Sequence, residues 1–409
     1  MPFQAVDWAS AWLVYLIRRS AFVDLIQLLA VFALPIAMIS YLFGADDRER
    51  DLLYRTWDVI NGARGEVANG ARNEAVQVLV RHRFSMAGIQ LQHAWLEGAD
   101  LRGADLRQAI FDSTNLSSAR LGCRRYAAGL WLRLVCTDLS GASFHSTNLK
   151  GADLRGARLN GDTLSSADLT AADLRGAELA DVDFSHARLD SARFDGTDLS
   201  RRSFDFASMD SASFIGANLD HARLHGAHLD RAHLEGASLF DVNLSDASLV
   251  GAHLSRADLK GAHLENADFS TADLSQAVFR KTSFGGSRFS DANLEGANFF
   301  GASLRGTDFT YANLRSVNFS LATWQQAATF CGADLRGADS LGDMPPGGLN
   351  GTALAHANIH GVHHTSPDVV RWAVDSMHAV LVASDSEWTR LTAHGPRRRG
   401  VPSLCTGNR

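Results

Sequence analysis

Cysteine is scarce in this 409-residue chain: Cys123, Cys136, Cys331 and Cys405 are the only four. No two stand at CxxC spacing, so the sequence offers no zinc site. A basic excess is missing too. The formal net charge is −6, and residues 137–324 alone hold 25 acidic and 17 basic residues, net −8. That balance argues against a basic nucleic-acid groove. The run Gly62-Ala63-Arg64-Gly65 is not a phosphate loop, because no strand precedes it and no GK[ST] follows. Long apolar runs are confined to the first 43 residues. Ser, Asp and His are frequent, but no arrangement of them stands out as catalytic, and neither a catalytic residue nor a cofactor site is expected.

What is present is a period. From Leu139 through Phe144, Leu149 and Leu154 to Leu314, Phe319 and Trp324, every fifth residue is large and apolar. Two residues before most centres stands Ala, as at Ala142, Ala152, Ala157 and Ala167. Five is neither the helical period nor the simple strand period. A fixed period held over this length means a solenoid, in which each unit buries its apolar face only by stacking on the next.

The phenylalanines set the size of a turn. Residues one turn apart stack at about 4.8 Å, the spacing between strands. A 20-residue turn puts Phe269, Phe289 and Phe309 in one column and Phe279, Phe299 and Phe319 in another. A 15-residue turn would set Phe289 between Leu274 and Leu304. Four sides of five residues follow, with the centre and the Ala inside and Gly141, Gly151, Gly156 and Gly176 at tight corners. The unit, as in Ala152-Asp153-Leu154-Arg155-Gly156, resembles the pentapeptide-repeat family. The resemblance implies an all-β solenoid, a right-handed quadrilateral parallel β-helix with 20 residues per coil. Helical segments are expected at both ends: an N-terminal anchor and cap, and a short C-terminal cap.

Residues 1–45 read as a membrane-anchor region. Trp8, Trp12 and Tyr15 share one helical face, and Arg18 and Arg19 follow. Residues 25–43 are long enough to cross the hydrocarbon. Leu25, Leu28, Leu29, Val31 and Phe32 form its first half, and Leu34, Ile36, Ile39, Leu42 and Phe43 its second. Pro35 would kink the helix, which membranes tolerate. A buried oligomerising helix or a signal peptide are the other readings. Residues 46–85 read as a helical linker that covers the open edge of the first coil. The stretch from Trp57 to Ala75 resembles the segment joining anchor to repeats in bacterial membrane-associated pentapeptide proteins. That resemblance implies a bacterial inner membrane, with the repeat domain on the cytoplasmic side.

The β-helix is expected over 86–364. Centres run to Leu121 and resume at Leu139, so an insertion lies within about 122–136. It carries Arg124, Arg125, Tyr126, Trp131 and Arg133. An aromatic–basic loop on a smooth rod is a candidate partner contact, and a packed bulge with Trp131 inside is the alternative. Cys123 and Cys136 bracket it; they pair in an oxidising compartment and stay free thiols otherwise. Asp162 and Arg202 occupy Ala slots with Val182 between them, which predicts local bulges or side chains turned outward. His233 and His253 should stack below Asp273, and His356, His360, His363 and His364 form a denser group, but neither set fixes a metal geometry.

After Trp324 the period turns irregular, with one good unit at 333–337 and a last coil suggested by Leu349, Leu354 and Ile359. Ser366-Pro367-Asp368 starts a helix whose buried face takes in Ala373, Met377 and Leu381. A second short helix begins near Ser384, giving a cap over 365–395. Residues 396–409, with Arg397, Arg398 and Arg399, read as a disordered tail.

The function expected is a membrane-tethered, non-catalytic scaffold that binds an unidentified protein along its rod and the bilayer through its N-terminal helix. Nucleic acid is not an expected partner. The alternative is a DNA-mimicking binder of type II topoisomerase, which the resemblance to quinolone-resistance members of the family implies. Gyrase supercoiling unaffected by the purified rod would remove it. An enzyme or channel component is the remaining class.

Overall fold

The structure is a computed structural model. It describes residues 14, 51–60, 70–128, 131–324, 328–339, 354–363, 367–381 and 383–384, apart from isolated positions within these spans. The chain divides into two compact units, residues 1–62 and 63–409. In the first unit the described residues of 51–60 are helical. An Asp51–Arg55 pair at 2.7 Å supports that turn, and the Thr56 hydroxyl donates to Leu52 O at 2.6 Å. The proposed span, Leu25 to Phe43, lies outside the described residues. Among those described, no helix is long and apolar enough to cross a membrane.

The second unit is built on the five-residue period. Parallel bridges join each coil to the next at a separation of 20, as in Asp153 to Asp173 and Asp273 to Asn293. Each side of a coil is pinned by alternating backbone bonds: Leu154 N–H to Asp173 O at 2.9 Å, then Asp173 N–H to Ala152 O at 3.0 Å. Centre residues and the Ala two before them point inward; Leu154 and Leu259 are fully buried and Ala152 is 1% exposed. Each buried centre contributes roughly 1.5–3 kcal/mol gross, most of which offsets the ordering of its backbone. Aromatic columns run as the 20-residue turn requires. Phe279 stacks on Phe299 with centroids 4.8 Å apart, and Phe269 on Phe289 at 4.9 Å. Two columns also meet edge to face, Phe279 against Phe289 at 6.2 Å, a favoured geometry for rings.

Corners turn through a residue in the left-handed region. At Gly226, φ is +62°, and a Cβ there would lie 2.7 Å from the Phe206 ring of the coil below. Phe206 is itself half-exposed and stacks on His186 at 5.3 Å. Glycine at 226 therefore lets an aromatic residue lie flat against the corner above it.

The first coil begins at Met86, which is fully buried. Below it lies helix α1, Gly70–Arg81, burying Val76, Leu79 and Val80. Arg83, at φ +58°, ends α1: Phe84 N–H reaches Leu79 O at 3.0 Å and Arg83 N–H reaches Val80 O at 3.1 Å, a Schellman arrangement. Two side chains replace the missing strand beneath the first coil. With its amide oriented to suit, Gln77 donates to Asp100 O at 3.2 Å and accepts from Asp100 N–H at 3.0 Å. Buried Arg72 donates to Gln90 O at 2.9 Å. Helix α1 thus meets the first coil with an amide and a guanidinium group as well as with apolar residues.

Beyond Trp324 the pattern shifts rather than fails. Asp308 bridges Thr329, so one extra residue enters that coil, and Asp334 bridges Asn358, which adds four more. Phe330 takes over the column, stacked on Phe309 at 5.1 Å. Helix α2, Pro367–Met377, starts where the proline predicts and buries Ala373. Leu381 does not belong to its buried face. The helix stops four residues earlier, the chain turns back so that Val380 bridges Asn358, and Leu381 is 53% exposed. Arg336, paired with Asp334 at 2.9 Å, reaches on to Ala383 O at 3.2 Å. The second C-terminal helix, from 385 on, and the tail 396–409 lie outside the described residues.

The oversized inward residues behave differently from one another. Asp162 stays inside, 2% exposed, with its carboxyl accepting Ala142 N–H at 2.9 Å. Burial pushes its pKa up to about 9. The expectation of an outward turn is wrong there, because Ala142 in the coil below leaves room for a carboxyl. Arg202 reaches out only at its tip: one guanidinium nitrogen lies 3.3 Å from exposed Asp181, while Nε stays buried without a hydrogen-bond partner. With Asp162, Val182 and Arg202 in successive small slots, the ladder skips one rung: no bridge joins Glu178 to Asp198.

Candidate interaction surface

The insertion is a hairpin of β1, Cys123–Ala128, and β2, Trp131–Cys136, paired antiparallel. The coil runs straight on beneath it, so Ile110 bridges Ser143 across the extra residues. Its neck is closed twice. Cys123 and Cys136 face each other in register and form a disulfide, so of the two alternatives open in the sequence the structure takes the paired one. Just inside, fully buried Thr137 accepts Gly103 N–H at 2.9 Å and its hydroxyl lies 2.9 Å from Gly122 O. Gly156 sits against the bridge; a Cβ there would meet Cys123 Sγ at 2.8 Å.

Register divides the candidate residues between two faces. Tyr126 pairs with Arg133, and Arg125 pairs with Leu134. Alternation therefore sets Arg124 and Tyr126 on one side and Arg125 on the other. The first side folds back on the rod: the Tyr126 hydroxyl donates to Arg102 O at 3.3 Å, and the Arg83 guanidinium lies 4.0 Å from its ring centroid. Arg124 approaches the same ring at 5.5 Å and Asp100 at 4.0 Å. Asp100 is held below the usual carboxylate range by its hydrogen bond to Arg102, and Arg107 pulls Asp105 down to about 2. Those carboxylates stay ionised and keep the hairpin base charged. Arg125 and Arg133 are exposed, and Leu134 is 59% exposed. Trp131 pairs with Ala128 at the tip. Tyr126 packs on the rod, Arg125 and Leu134 face solvent together from the other side, and Arg133, on the Tyr126 side by register, is exposed as well. Arg83 and Leu134 were not among the expected contact residues. The ring–guanidinium pairing of Arg83 depends on a contact 43 positions away, but Leu134 opposite Arg125 follows from hairpin pairing alone.

Replacing Cys123 by Ser is expected to fray β1 and β2 while leaving the coils intact. Closing a loop this short is worth about 3 kcal/mol at most, and here it acts on one hairpin. Amide exchange should rise at Arg125 and Leu134 and stay unchanged at Leu259.

Other expected positions remain apart. His233 and His253 stack with centroids 4.7 Å apart below Asp273, and His356, His360 and His363 are exposed. Among the described residues no three metal-ligating side chains gather. Between α1 and the first coil lies an open cleft of about 380 Å³, lined by Asn73, Glu74, Gln77, Asp100 and Arg120. It lacks the apolar walls of an ordinary small-molecule site.

The family described as pentapeptide repeats matches in eight copies across residues 85–122, 132–161, 164–201, 203–236, 237–276 and 287–323. Among proteins of curated function, none matches. Several solved structures do. HetL, a pentapeptide repeat protein involved in heterocyst differentiation regulation in the cyanobacterium Nostoc sp. strain PCC 7120, is 30% identical. That match covers 62% of this chain and 94% of HetL, with a TM-score of 0.25. QnrB1, a plasmid-mediated fluoroquinolone resistance protein, is 22% identical over 60% of this chain and 97% of its own, with a TM-score of 0.18. A pentapeptide repeat protein of the Arabidopsis thaliana thylakoid lumen is 22% identical over 35% of this chain and 78% of its own, also with a TM-score of 0.18. Period, inward ladders and family match agree: the chain belongs to the pentapeptide-repeat family, with its right-handed quadrilateral β-helix.

Proposed function

We propose that the protein is a non-catalytic interaction scaffold that presents its hairpin to a partner protein. The observation that carries this reading is the disulfide-clamped hairpin, which lifts Arg125, Leu134 and Arg133 off an otherwise regular rod. A clamped strand pair loses little freedom on binding, so its contacts are not spent on ordering it. Leu134 and Arg125 pair across the hairpin and so share its outer face, which places an exposed apolar residue beside an arginine, a residue type enriched at interfaces.

The finer part of the proposal is a tether to a bilayer through residues 25–43, supported by their apolar composition and length. The sequence alone favoured a cytoplasmic rod. The Cys123–Cys136 disulfide supports an oxidising compartment instead, since such bonds persist there. The test is photocrosslinking in cells from a benzoylphenylalanine placed at Leu134, in chains with and without Arg125→Glu and Arg133→Glu. A discrete adduct, lost in the charge-reversed chain, supports the reading. No adduct from Leu134, or one indifferent to both arginines, sinks it. Fractionation of the same cells tests the tether: a rod recovered without membrane removes it.

A further inference from the structure

We propose that a second face of the rod, the column Phe240, Lys260, Arg280 and Phe300, binds a short acidic peptide segment of a partner protein. This rests on the scaffold reading but not on the hairpin. The four residues hold the same place, directly after the buried centre, in four successive coils. Bridges run through the residues two before them, from Ser238 to Asp258, Val278 and Asn298. Backbone bonds to their carbonyls keep the step regular: Asp241 N–H to Lys260 O, Gly261 N–H to Arg280 O and Lys281 N–H to Phe300 O, each 3.0 Å.

The rings hold the cations apart. Lys260 Nζ lies 5.4 Å from the Phe240 centroid, and the Arg280 guanidinium 5.3 Å from that of Phe300. Each positive group leans on the aromatic at its own end of the column. Both phenylalanines are half-buried, and both cations are exposed.

Among the described residues, the cations of this column lack the carboxylate partner that several other arginines of the rod have. In several other coils an arginine at the same place pairs with the aspartate two residues before it: Arg102 with Asp100 and Arg155 with Asp153 at 2.8 Å, and Arg175 with Asp173 at 2.6 Å. Here Val278 and Asn298 replace that aspartate for Arg280 and Phe300. Asp258 is present, but it accepts the backbone N–H of Lys260 at 3.1 Å while the ammonium lies on Phe240. Among the described residues, no carboxylate pairs with Lys260 or Arg280. Lys281, exposed at the adjoining corner, adds a third positive charge. A rod segment of net −8 thus carries one cationic, aromatic-ended stripe.

The ends of the stripe define the ligand. Three rungs span about 14 Å, the reach of about four residues of extended chain. Two or three carboxylates on such a segment would meet Lys260, Arg280 and Lys281, with the rings covering its ends. A longer polyanion would run past Phe240 onto Asp220, whose carboxylate accepts Phe240 N–H at 3.0 Å. Charge complementarity over a bounded stripe therefore favours an acidic peptide over a nucleic acid strand. Exposed ion pairs and cation–π contacts are each modest, so binding should be weak, and salt should weaken it further.

Fluorescence anisotropy of the full chain with a labelled Asp/Glu hexapeptide tests this. Its Asn/Gln counterpart, a labelled single-stranded oligonucleotide and phosphatidylglycerol vesicles serve as comparison probes. The acidic peptide should bind and the neutral one should not. Lys260→Glu with Arg280→Glu should weaken binding at least about tenfold, the effect of removing two modest ion pairs. Phe240→Ser with Phe300→Ser should weaken it several-fold. Both variants alter exposed or half-exposed groups, and an unchanged thermal melt confirms that they fold. Arg125→Glu with Arg133→Glu should leave peptide binding intact. No binding at millimolar peptide, equal binding by the Lys260/Arg280 variant, or tighter stripe-dependent binding of oligonucleotide or vesicles would each overturn the proposal. If the Leu134 crosslink persists while the peptide fails, the stripe proposal falls alone. Failure of both removes the scaffold reading as well.

Discussion

Leu259→Asp is expected to lower the free energy of unfolding by at least about 4 kcal/mol at neutral pH, the cost of keeping a buried carboxyl protonated. Leu259 is fully buried between Leu239 and Phe279 in its column. The chain supplies its own reference for an inward carboxyl: Asp162, whose pKa burial raises to about 9. A carboxyl at 259 would meet the same desolvation and would also forfeit the roughly 1.5–3 kcal/mol of leucine burial. Lys260→Asp, one residue on, faces solvent and should change stability by no more than about 0.5 kcal/mol. Denaturant midpoints of the two variants make the comparison. Equal tolerance would mean that the inward and outward positions are wrongly assigned.

Asp162→Ala should move stability the other way. Asp162 is buried, and its second carboxyl oxygen has no hydrogen-bond partner. Because burial raises its pKa from 3.8 to about 9, the folded chain holds a proton that the unfolded chain has released anywhere between those values. Stability of the natural chain therefore falls as pH rises across that window. At pH 7 the penalty is of order 4 kcal/mol, and alanine, the residue of the neighbouring slot at 142, removes it. Ala142 N–H keeps its bond to Leu139 O at 2.8 Å, so the substitution strands no donor. The gain should shrink as pH falls toward 3.8 and vanish about one unit below it, where both states are protonated. A gain independent of pH, or a loss at neutral pH, would show that Asp162 is ionised in place.

The rod was legible because its core is a one-dimensional code. Phe279 and Phe299 must be vertical neighbours once like shapes stack, and they are. The period placed the first centres near Met86, and the Ser366-Pro367-Asp368 start signal placed the helix that begins at Pro367. The period lost the thread after Trp324 because one inserted residue moves every later centre by one, so Phe330 falls off the old count and Leu335 reads as the centre of an isolated unit rather than as the next rung. The capping role of Gln77 was invisible for a different reason: a side-chain amide that imitates a strand carries no periodic mark. The hairpin could be located as an interruption, but which face Arg125 shares depends on register, and register depends on where the turn falls. The column holding Lys260 and Arg280 went unnoticed because its residues are 20 apart, and outward positions carry no constraint on identity. The anchor residues Leu25 to Phe43 lie outside the described structure and stay with the proposal.

The hairpin has one more consequence. A ladder of near-identical rungs offers an approaching molecule the same footing again and again, so a partner gripping the coils alone could slip by a rung or settle on the wrong side. Among the described residues the strand pair at 123–136 occurs once, above one side of the coils. It works like the pointer on a dial, giving a nearly uniform shaft both an angle and a zero from which distance along it is counted.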